Sequence, residues 1–308
     1  MKKSNKFYCS LMATVITTVL SSGCVSECGK KLNNKPLGII KASAYGEKKL
    51  VQQSPIKNNW QLIWSDEFED INGDGSLDSS KWGYEVGFIR NKESQYYTKD
   101  RRNNVRVEDG KLIIEGIKED FTAKNGKKSS YTSGSINTLG KFSFKYGRID
   151  VRAKLAGGRG CWPAIWMMGT DRKKYGWPKC GEIDIMEYVV SGKKENPLRV
   201  HSTVHGPNYD WKTEKEPRTG YLLFDRPPTE DYHVYSLEWN QDSMKFYFDG
   251  KMFLSLKNTQ NKEWVYSKPY YILLNLALGG SWGGEIVNDD LPAKYYVDYV
   301  RVYEKLAK

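Results

Sequence analysis

The 308-residue sequence is poor in the residues that build most metal and redox centres: it has three histidines and five cysteines. No Cys-x-x-Cys pair occurs, so the usual zinc spacing is missing. Beyond the N-terminus there is no run of 18 apolar residues, which excludes a membrane-spanning helix there. An apolar stripe of helical period longer than two turns is also lacking, as are internal repeats and low-complexity blocks after residue 58. Acid is scarce beside base, with 37 Asp+Glu against 48 Lys+Arg and a formal charge of +11. Taken whole, that charge suggests nucleic acid, a membrane surface or an anionic polymer as partner. Its distribution says otherwise. Residues 1–58 hold 10 Lys and 2 acids, or +8, which leaves +3 (11 − 8) for residues 59–308. The main body is nearly balanced, which argues against nucleic acid and suits a neutral ligand. What is plentiful is aromatic surface, 21 Tyr and 10 Trp, able to fill a core or to make flat platforms for ligands with apolar faces.

Residues 1–24 read as an export signal: Lys2, Lys3 and Lys6 precede an apolar stretch from Phe7 to Leu20. Leu20-Ser21-Ser22-Gly23-Cys24 resembles a lipoprotein cleavage box, although Ser21 stands where an aliphatic residue is preferred. The expectation is export, as a cell-surface or periplasmic lipoprotein in preference to a freely secreted protein, with membrane attachment only through lipid on Cys24. Residues 25–58, rich in Lys, Asn, Ser and Gly, read as a flexible tether. Cys161 and Cys180 remain for the body, where they either pair or stay as buried thiols.

From residue 59 to 308 a single domain is expected, made of short alternating runs. Val105-Arg106-Val107-Glu108 meets Asp109-Gly110, and Lys245-Phe246-Tyr247-Phe248 meets Asp249-Gly250, both hairpin signals. The stretch from Tyr295 to Tyr303 alternates over nine residues. Many short strands with regular turns predict an all-β antiparallel sandwich or jelly roll.

The run Glu182-Ile183-Asp184-Ile185-Met186-Glu187 carries the chemistry. On a strand, Glu182 and Asp184 share one face and the isoleucines the other. Glu187 is out of phase, and a β-bulge near Met186 would return it to the carboxylate face. Glycoside cleavage needs two carboxyl groups about 5–5.5 Å apart for a covalent nucleophile, or about 6.5–9.5 Å apart for direct attack by water. On a straight strand the outer two would sit roughly 13 Å apart, so twist, bulge and side-chain lean must shorten the gap. Asp184 between them can hold one glutamate ionised and the other protonated. The plain alternative is an edge strand with a solvated acidic face.

The run matches the Glu-x-Asp-x-x-Glu signature of glycoside hydrolase family 16. Further blocks resemble that family in order over roughly residues 60–304: Trp64-Ser65-Asp66-Glu67-Phe68, Gln95-Tyr96-Tyr97-Thr98, Tyr146-Gly147-Arg148-Ile149, Trp162-Pro163-Ala164-Ile165-Trp166, Leu276-Ala277-Leu278-Gly279-Gly280, and Val297 to Tyr303. The resemblance implies a concanavalin A-like jelly roll of two curved sheets with a concave substrate cleft. It implies Glu182 as nucleophile, Glu187 as general acid/base and Asp184 as assisting acid. The extra residue, Met186, places the chain with laminarinase-, agarase- and carrageenase-like members, and Gly181 to Tyr188 with His205-Gly206-Pro207 look most like endo-β-1,3-glucanases. The implied activity is retaining endo-hydrolysis of β-1,3-glucan, with mixed β-1,3/1,4-glucan as a second substrate. The rivals are a hydrolase of agar, porphyran or carrageenan, and a non-catalytic glycan-binding jelly roll.

Trp162 and Trp166 lie four apart, hence on one strand face, as sugar platforms or core rings; Pro163 argues against a central, fully paired position there. His201 and His205 alternate with Thr203, and His205 is a candidate sugar or nucleophile contact. Trp282 sits in the glycine-rich Gly279 to Gly284 segment, and Asn91, with Arg90, is a weaker candidate for hydroxyl contacts. No catalytic cofactor is expected. The resemblance implies a structural calcium held by Glu67, the Gly110 carbonyl and Asp298. Asp70 to Asp78 has acids at EF-hand spacing, but Lys81 stands at position twelve and an ordinary Asx turn fits better. The partner expected is a β-glucan, met by a monomer.

Overall fold

Alternating segments closed by tight turns assemble into two stacked sheets. The computed structural model describes residues 59–190, 196–207, 218–258 and 264–306. The signal, tether and Cys24 expectations lie outside the described residues. In chain order the strands are β1 (Trp60–Asp66), β2 (Gly83–Tyr84), β3 (Tyr96–Tyr97), β4 (Val105–Glu108), β5 (Lys111–Thr122), β6 (Lys128–Ser133), β7 (Ser135–Asn137), β8 (Gly147–Lys154) and β9 (Cys161–Gly169). A short helix, α1 (Arg172–Tyr175), precedes β10 (Glu182–Glu187), β11 (Arg199–His205), β12 (Arg218–Leu223), β13 (His233–Trp239), β14 (Ser243–Phe248), β15 (Lys251–Lys257) and β16 (Tyr270–Leu278). The one-turn helix α2 (Gly280–Gly283) and β17 (Ala293–Lys305) close the order. No described helix is long and apolar enough to cross a membrane.

One sheet has seven strands in the order β12-β11-β10-β9-β16-β7-β2. The other has ten, with β15-β14-β13-β8-β17-β5-β6-β3 along its path, β1 paired to β17 and β4 to β5. Pairing is antiparallel throughout except for β3 with β6. Ile165, Met167, Ile183, Val204, Ile272 and Leu274 of the first sheet and Leu112, Ile149, Val151, Leu237, Phe246 and Val300 of the second are buried in one shared core. Alternation therefore leaves the opposite face of the seven-stranded sheet for a separate set of side chains, in which Ala164, Trp166, Met168, Tyr271 and Leu273 form a second apolar cluster among polar neighbours. Both Asp-Gly turns form as expected, with left-handed φ of 51° and 66° at Asp109 and Gly110 and 44° and 76° at Asp249 and Gly250. Two positive φ angles are what a two-residue hairpin of matching twist requires.

Pro163 departs from the expectation. It lies on the central strand β9, opposite Leu276 of β16. Its carbonyl points toward β10 and accepts from the Tyr188 amide at 3.3 Å, one residue past the end of that strand. The missing N–H faces the same side and leaves the Tyr188–Pro163 pair with one of its two bonds, a loss confined to the end of the β9–β10 ladder.

Candidate active site

Strand β10 lies inside the seven-stranded sheet, between β9 and β11. Asp184 faces Trp166 and Thr203, yet the next pairs are Met186 with Ile165 on one side and Glu187 with His201 on the other. One residue is therefore extra, and the bulge lies at Ile185-Met186. Ile183, Ile185 and Met186 all enter the shared core, while Glu182, Asp184 and Glu187 line one cleft of ≈ 620 Å³ on the opposite face. The Ile185 carbonyl accepts from Ser202 Oγ at 2.6 Å.

The neighbouring strands supply the other walls. Trp162, Trp166 and Met168 come from β9, His201, Thr203 and His205 from β11, Thr219 from β12 and Asn275 from β16. Arg90, Asn91, Glu93 and Trp177 arrive on connecting segments and Trp282 on α2. Two of these segments are tied together: the Ser281 amide donates to the Asn91 carbonyl at 2.8 Å. Gly280 permits that approach, since a Cβ there would lie 2.9 Å from the same carbonyl oxygen, and its φ is +86°.

Two indoles divide the carboxylates between them. Trp177 Nε1 donates to Glu182 Oε2 at 3.0 Å, and Trp162 Nε1 donates to Glu187 Oε1 at 3.1 Å. His205 Nε2 lies 3.2 Å from Asp184 Oδ2 and 3.7 Å from Glu182 Oε1. Burial lowers the proton affinity of His205, but the facing carboxylates outweigh it and hold the imidazolium with a pKa of about 9. Burial and then the Asp184 charge push Glu182 up to about 7, against the pull of His205, Arg90 and the Trp177 N–H. Glu187 is pushed well above the ordinary carboxyl range by burial and then Asp184. Asp184 is raised by burial and pulled back by His205. The cation beside Glu182 favours its ionised form, while burial and the Asp184 charge favour the protonated form of Glu187, the arrangement that separates a nucleophile from an acid.

The two tryptophans of β9 face the cleft but are largely enclosed. Trp162 is 8% exposed and meets Trp282 edge-on, with ring centroids 5.4 Å apart. Trp166 is 5% exposed, donates to Asn275 Oδ1 at 2.8 Å, and carries the Arg90 guanidinium 4.9 Å above its ring. Asn275 Nδ2 donates to Tyr97 Oη, and Tyr97 Oη donates to Glu93 Oε2, both at 3.1 Å. Glu93 Oε1 accepts from Asn91 Nδ2 at 3.2 Å. Asn91 lines the cleft, anchored through Glu93. Trp177, Glu93 and Asn275 carried no sequence signal. Trp177 sits five residues before Glu182 on an irregular segment, where neither period nor motif marks it.

Glu182, Asp184 and His205 present ligand atoms within 4.8 Å of one another, so this cluster could hold a metal ion once His205 gives up its proton. The expected calcium donors are placed differently. Val297 pairs with Leu112 and Val300 with Asp66, so the segments bearing Asp298, Gly110 and Glu67 meet along β17. Both carboxylates are committed, however: Glu67 to Arg301 at 2.8 and 3.0 Å, and Asp298 to Arg152 at 2.6 Å. Oxygen donors of the right kind are brought together there, and a calcium ion would compete with the two guanidinium groups for them. The Asp70 segment is a knot of Asx contacts, its Asp70 carboxylate accepting from the Asp74 and Gly75 amides at 3.0–3.1 Å. Cys161 and Cys180 are buried and unpaired with each other, so the disulfide alternative does not occur.

Comparison with known proteins agrees with this geometry. A beta-glucanase of Rhodothermus marinus is 40% identical over 261 residues, 80% of this chain and 85% of its own. A keratan-sulfate endo-1,4-beta-galactosidase of Sphingobacterium multivorum is 32% identical over 307 residues, 98% of this chain and 68% of its own. The laminarinase catalytic domain of Thermotoga maritima MSB8 superimposes with a TM-score of 0.72 at 37% identity, covering 81% of this chain and 100% of that one. The model of the glycosyl hydrolases family 16 matches residues 92–301, a span that holds all three acids, and the chain is a member of that family.

Proposed function

We propose that the chain is an endo-acting, retaining β-1,3(4)-glucanase, cutting laminarin-type β-1,3-glucan and mixed-linkage β-1,3/1,4-glucan. The observation that carries this reading is the bulged strand that turns Glu182, Asp184 and Glu187 into one cleft, each glutamate held by its own indole N–H. Protonated Glu187 gives its proton to the glycosidic oxygen as the Glu182 carboxylate attacks the anomeric carbon, forming a glycosyl-enzyme ester and freeing the leaving chain. Glu187, now ionised, takes a proton from water, whose oxygen attacks the same carbon and releases Glu182. Asp184 and the His205 imidazolium stay in place as fixed charges beside the nucleophile. Digestion of laminarin, barley β-glucan, agarose and keratan sulfate side by side tests the assignment. Release from either glucan, lost in Glu182→Gln and in Glu187→Gln with polymer binding kept, supports it, and early product should be the β anomer by NMR. Early α product would reject double displacement, unchanged turnover in both variants would place the catalytic groups elsewhere, and polymer binding by wild type without release from any of the four would point to a glycan-binding protein.

A galactan hydrolase is the second reading, because the keratan-sulfate relative aligns over 98% of this chain. Cleavage of keratan sulfate or agarose without cleavage of glucan would move the assignment there. Export with lipid on Cys24 also belongs to this reading. It is supported by the basic-then-apolar segment ending at Cys24, and the mass of the mature N-terminus in wild type and Cys24→Ser tests it. A structural calcium at Glu67, Gly110 and Asp298 would need to displace Arg301 and Arg152. A thermal midpoint that rises with calcium, and ceases to do so in Glu67→Gln, would support it.

A further inference from the structure

Arg90 holds an unusual position in the cleft. Its side chain is 17% exposed and its guanidinium lies 4.9 Å over Trp166, so it covers one face of that ring. Nη2 pairs with Glu85 Oε2, and Glu85 is itself fixed by Ser135 Oγ at 2.7 Å. Nη1 is buried and has no hydrogen-bond partner among the described residues. A buried donor without an acceptor is unfavourable until something supplies one. Arg90 lines the cleft beside Trp166, and a turn of its guanidinium would present Nη1 to a ligand on that flank.

The chemistry of that acceptor follows from Glu85. A lone guanidinium in a half-dry cleft recruits sulfate or carboxylate in bidentate fashion. Here one edge of the fork already faces a carboxylate, so the pair is neutral as a unit. An anionic substituent near Nη1 would gain one attraction and meet Glu85 behind it. A hydroxyl gains the hydrogen bond without that opposition. We propose that the Glu85–Arg90 pair selects neutral sugars, with Arg90 Nη1 donating to a sugar hydroxyl on the Trp166 flank and Glu85 cancelling its charge. This rests on the glycan-hydrolase reading above and adds to it a specificity element. The pair belongs to substrate recognition; Glu182 and Glu187 carry out the bond cleavage.

The test compares wild type, Arg90→Lys and Glu85→Gln on laminarin and on chemically sulfated laminarin, with thermal midpoints measured alongside. Lysine keeps the charge but cannot hold Glu85 and present a fixed second donor. Arg90→Lys should lose about 10- to 100-fold in kcat/KM on laminarin, mostly through KM. Glu85→Gln should raise the ratio of sulfated to neutral kcat/KM by roughly tenfold, a gain that shrinks in high salt. The proposal is overturned if Arg90→Lys stays within about twofold of wild type, or if Glu85→Gln leaves the ratio unchanged. If wild type cleaves another polymer and not laminarin, the glucanase reading fails by itself. The same comparison on that polymer and its sulfated or desulfated form then decides on the pair.

Discussion

Removing one indole N–H at a time should move opposite limbs of the pH–rate profile. Trp162→Phe deletes the 3.1 Å contact to Glu187, and Trp177→Phe deletes the 3.0 Å contact to Glu182. Each N–H favours the carboxylate over the carboxylic acid, so each deletion raises the pKa of its partner. The difference between a charged and a neutral hydrogen bond is about 1 kcal/mol. A pKa unit corresponds to about 1.4 kcal/mol, so a shift of just under one unit is expected for each variant. Glu187 works protonated, and activity is lost as pH rises through its pKa. Trp162→Phe therefore moves the basic limb of kcat/KM upward and widens the active range. Glu182 works ionised, and activity is lost as pH falls through its pKa. Trp177→Phe therefore moves the acid limb upward and narrows the range. The assay is reducing-end release from soluble glucan across pH, using kcat/KM so that the free enzyme is reported. A shift of the acid limb in Trp162→Phe, with the basic limb moving in Trp177→Phe, would reverse the assigned roles. Static limbs in both would show that the indoles do not tune the acids.

Glu187→Gln should abolish turnover yet raise the thermal midpoint. The wild-type group has its folded pKa raised above 4.5, so the stability it contributes is full below about pH 4.5 and declines by about 1.4 kcal/mol per pH unit above that until the folded pKa is reached. The gap between variant and wild type, read by calorimetry, should therefore widen as pH rises above 5 and level off once the folded pKa is passed. His205→Gln removes a cation 3.2 Å from Asp184 and 3.7 Å from Glu182. It should raise the acid limb further than Trp177→Phe does, since such a pair interacts by roughly 4 kcal/mol at an effective dielectric near 20. The folded pKa of His205, about 9, lies above its ordinary 6.5. Its contribution to stability is thus full below pH 6.5 and lost as pH rises through 9, and the variant should lack that loss in a pH series of melting curves. Met186→Ala should cost about 2–4 kcal/mol in denaturant unfolding, because the side chain is fully buried in the shared core.

The strands and the catalytic run were legible because their information is local. Alternation, Asp-Gly turns and the phase error at Glu187 can all be read within a dozen residues. What escaped depends on residues far apart in the chain. Trp166 meets Asn275 across 109 positions and Arg301 meets Glu67 across 234. No period links such pairs. The β9 tryptophans show the difference: spacing placed them on one face, but not the Arg90 covering one ring or the Glu187 carboxylate fixing the other. Pro163 misled for a related reason. Whether a missing N–H matters depends on where the next strand ends, and that is a property of the sheet.

The bulge was readable because the alternative is so unfavourable. Strict alternation would send Glu187 into the core beside Ile183 and Ile185 and turn Met186 toward the cleft. An unpaired carboxylate taken into such a core costs several kcal/mol or gives up its charge. A bulge costs only local pairing, on the order of 1 kcal/mol for a hydrogen bond left unmade. That smaller cost is reduced further here, since Ser202 Oγ satisfies the Ile185 carbonyl at the bulge. Met186 meanwhile takes the core position that Glu187 would have occupied, and it is wholly buried. One added residue thus gives the core an apolar side chain and the cleft its third acid, and the sheet resumes its pairing on both sides.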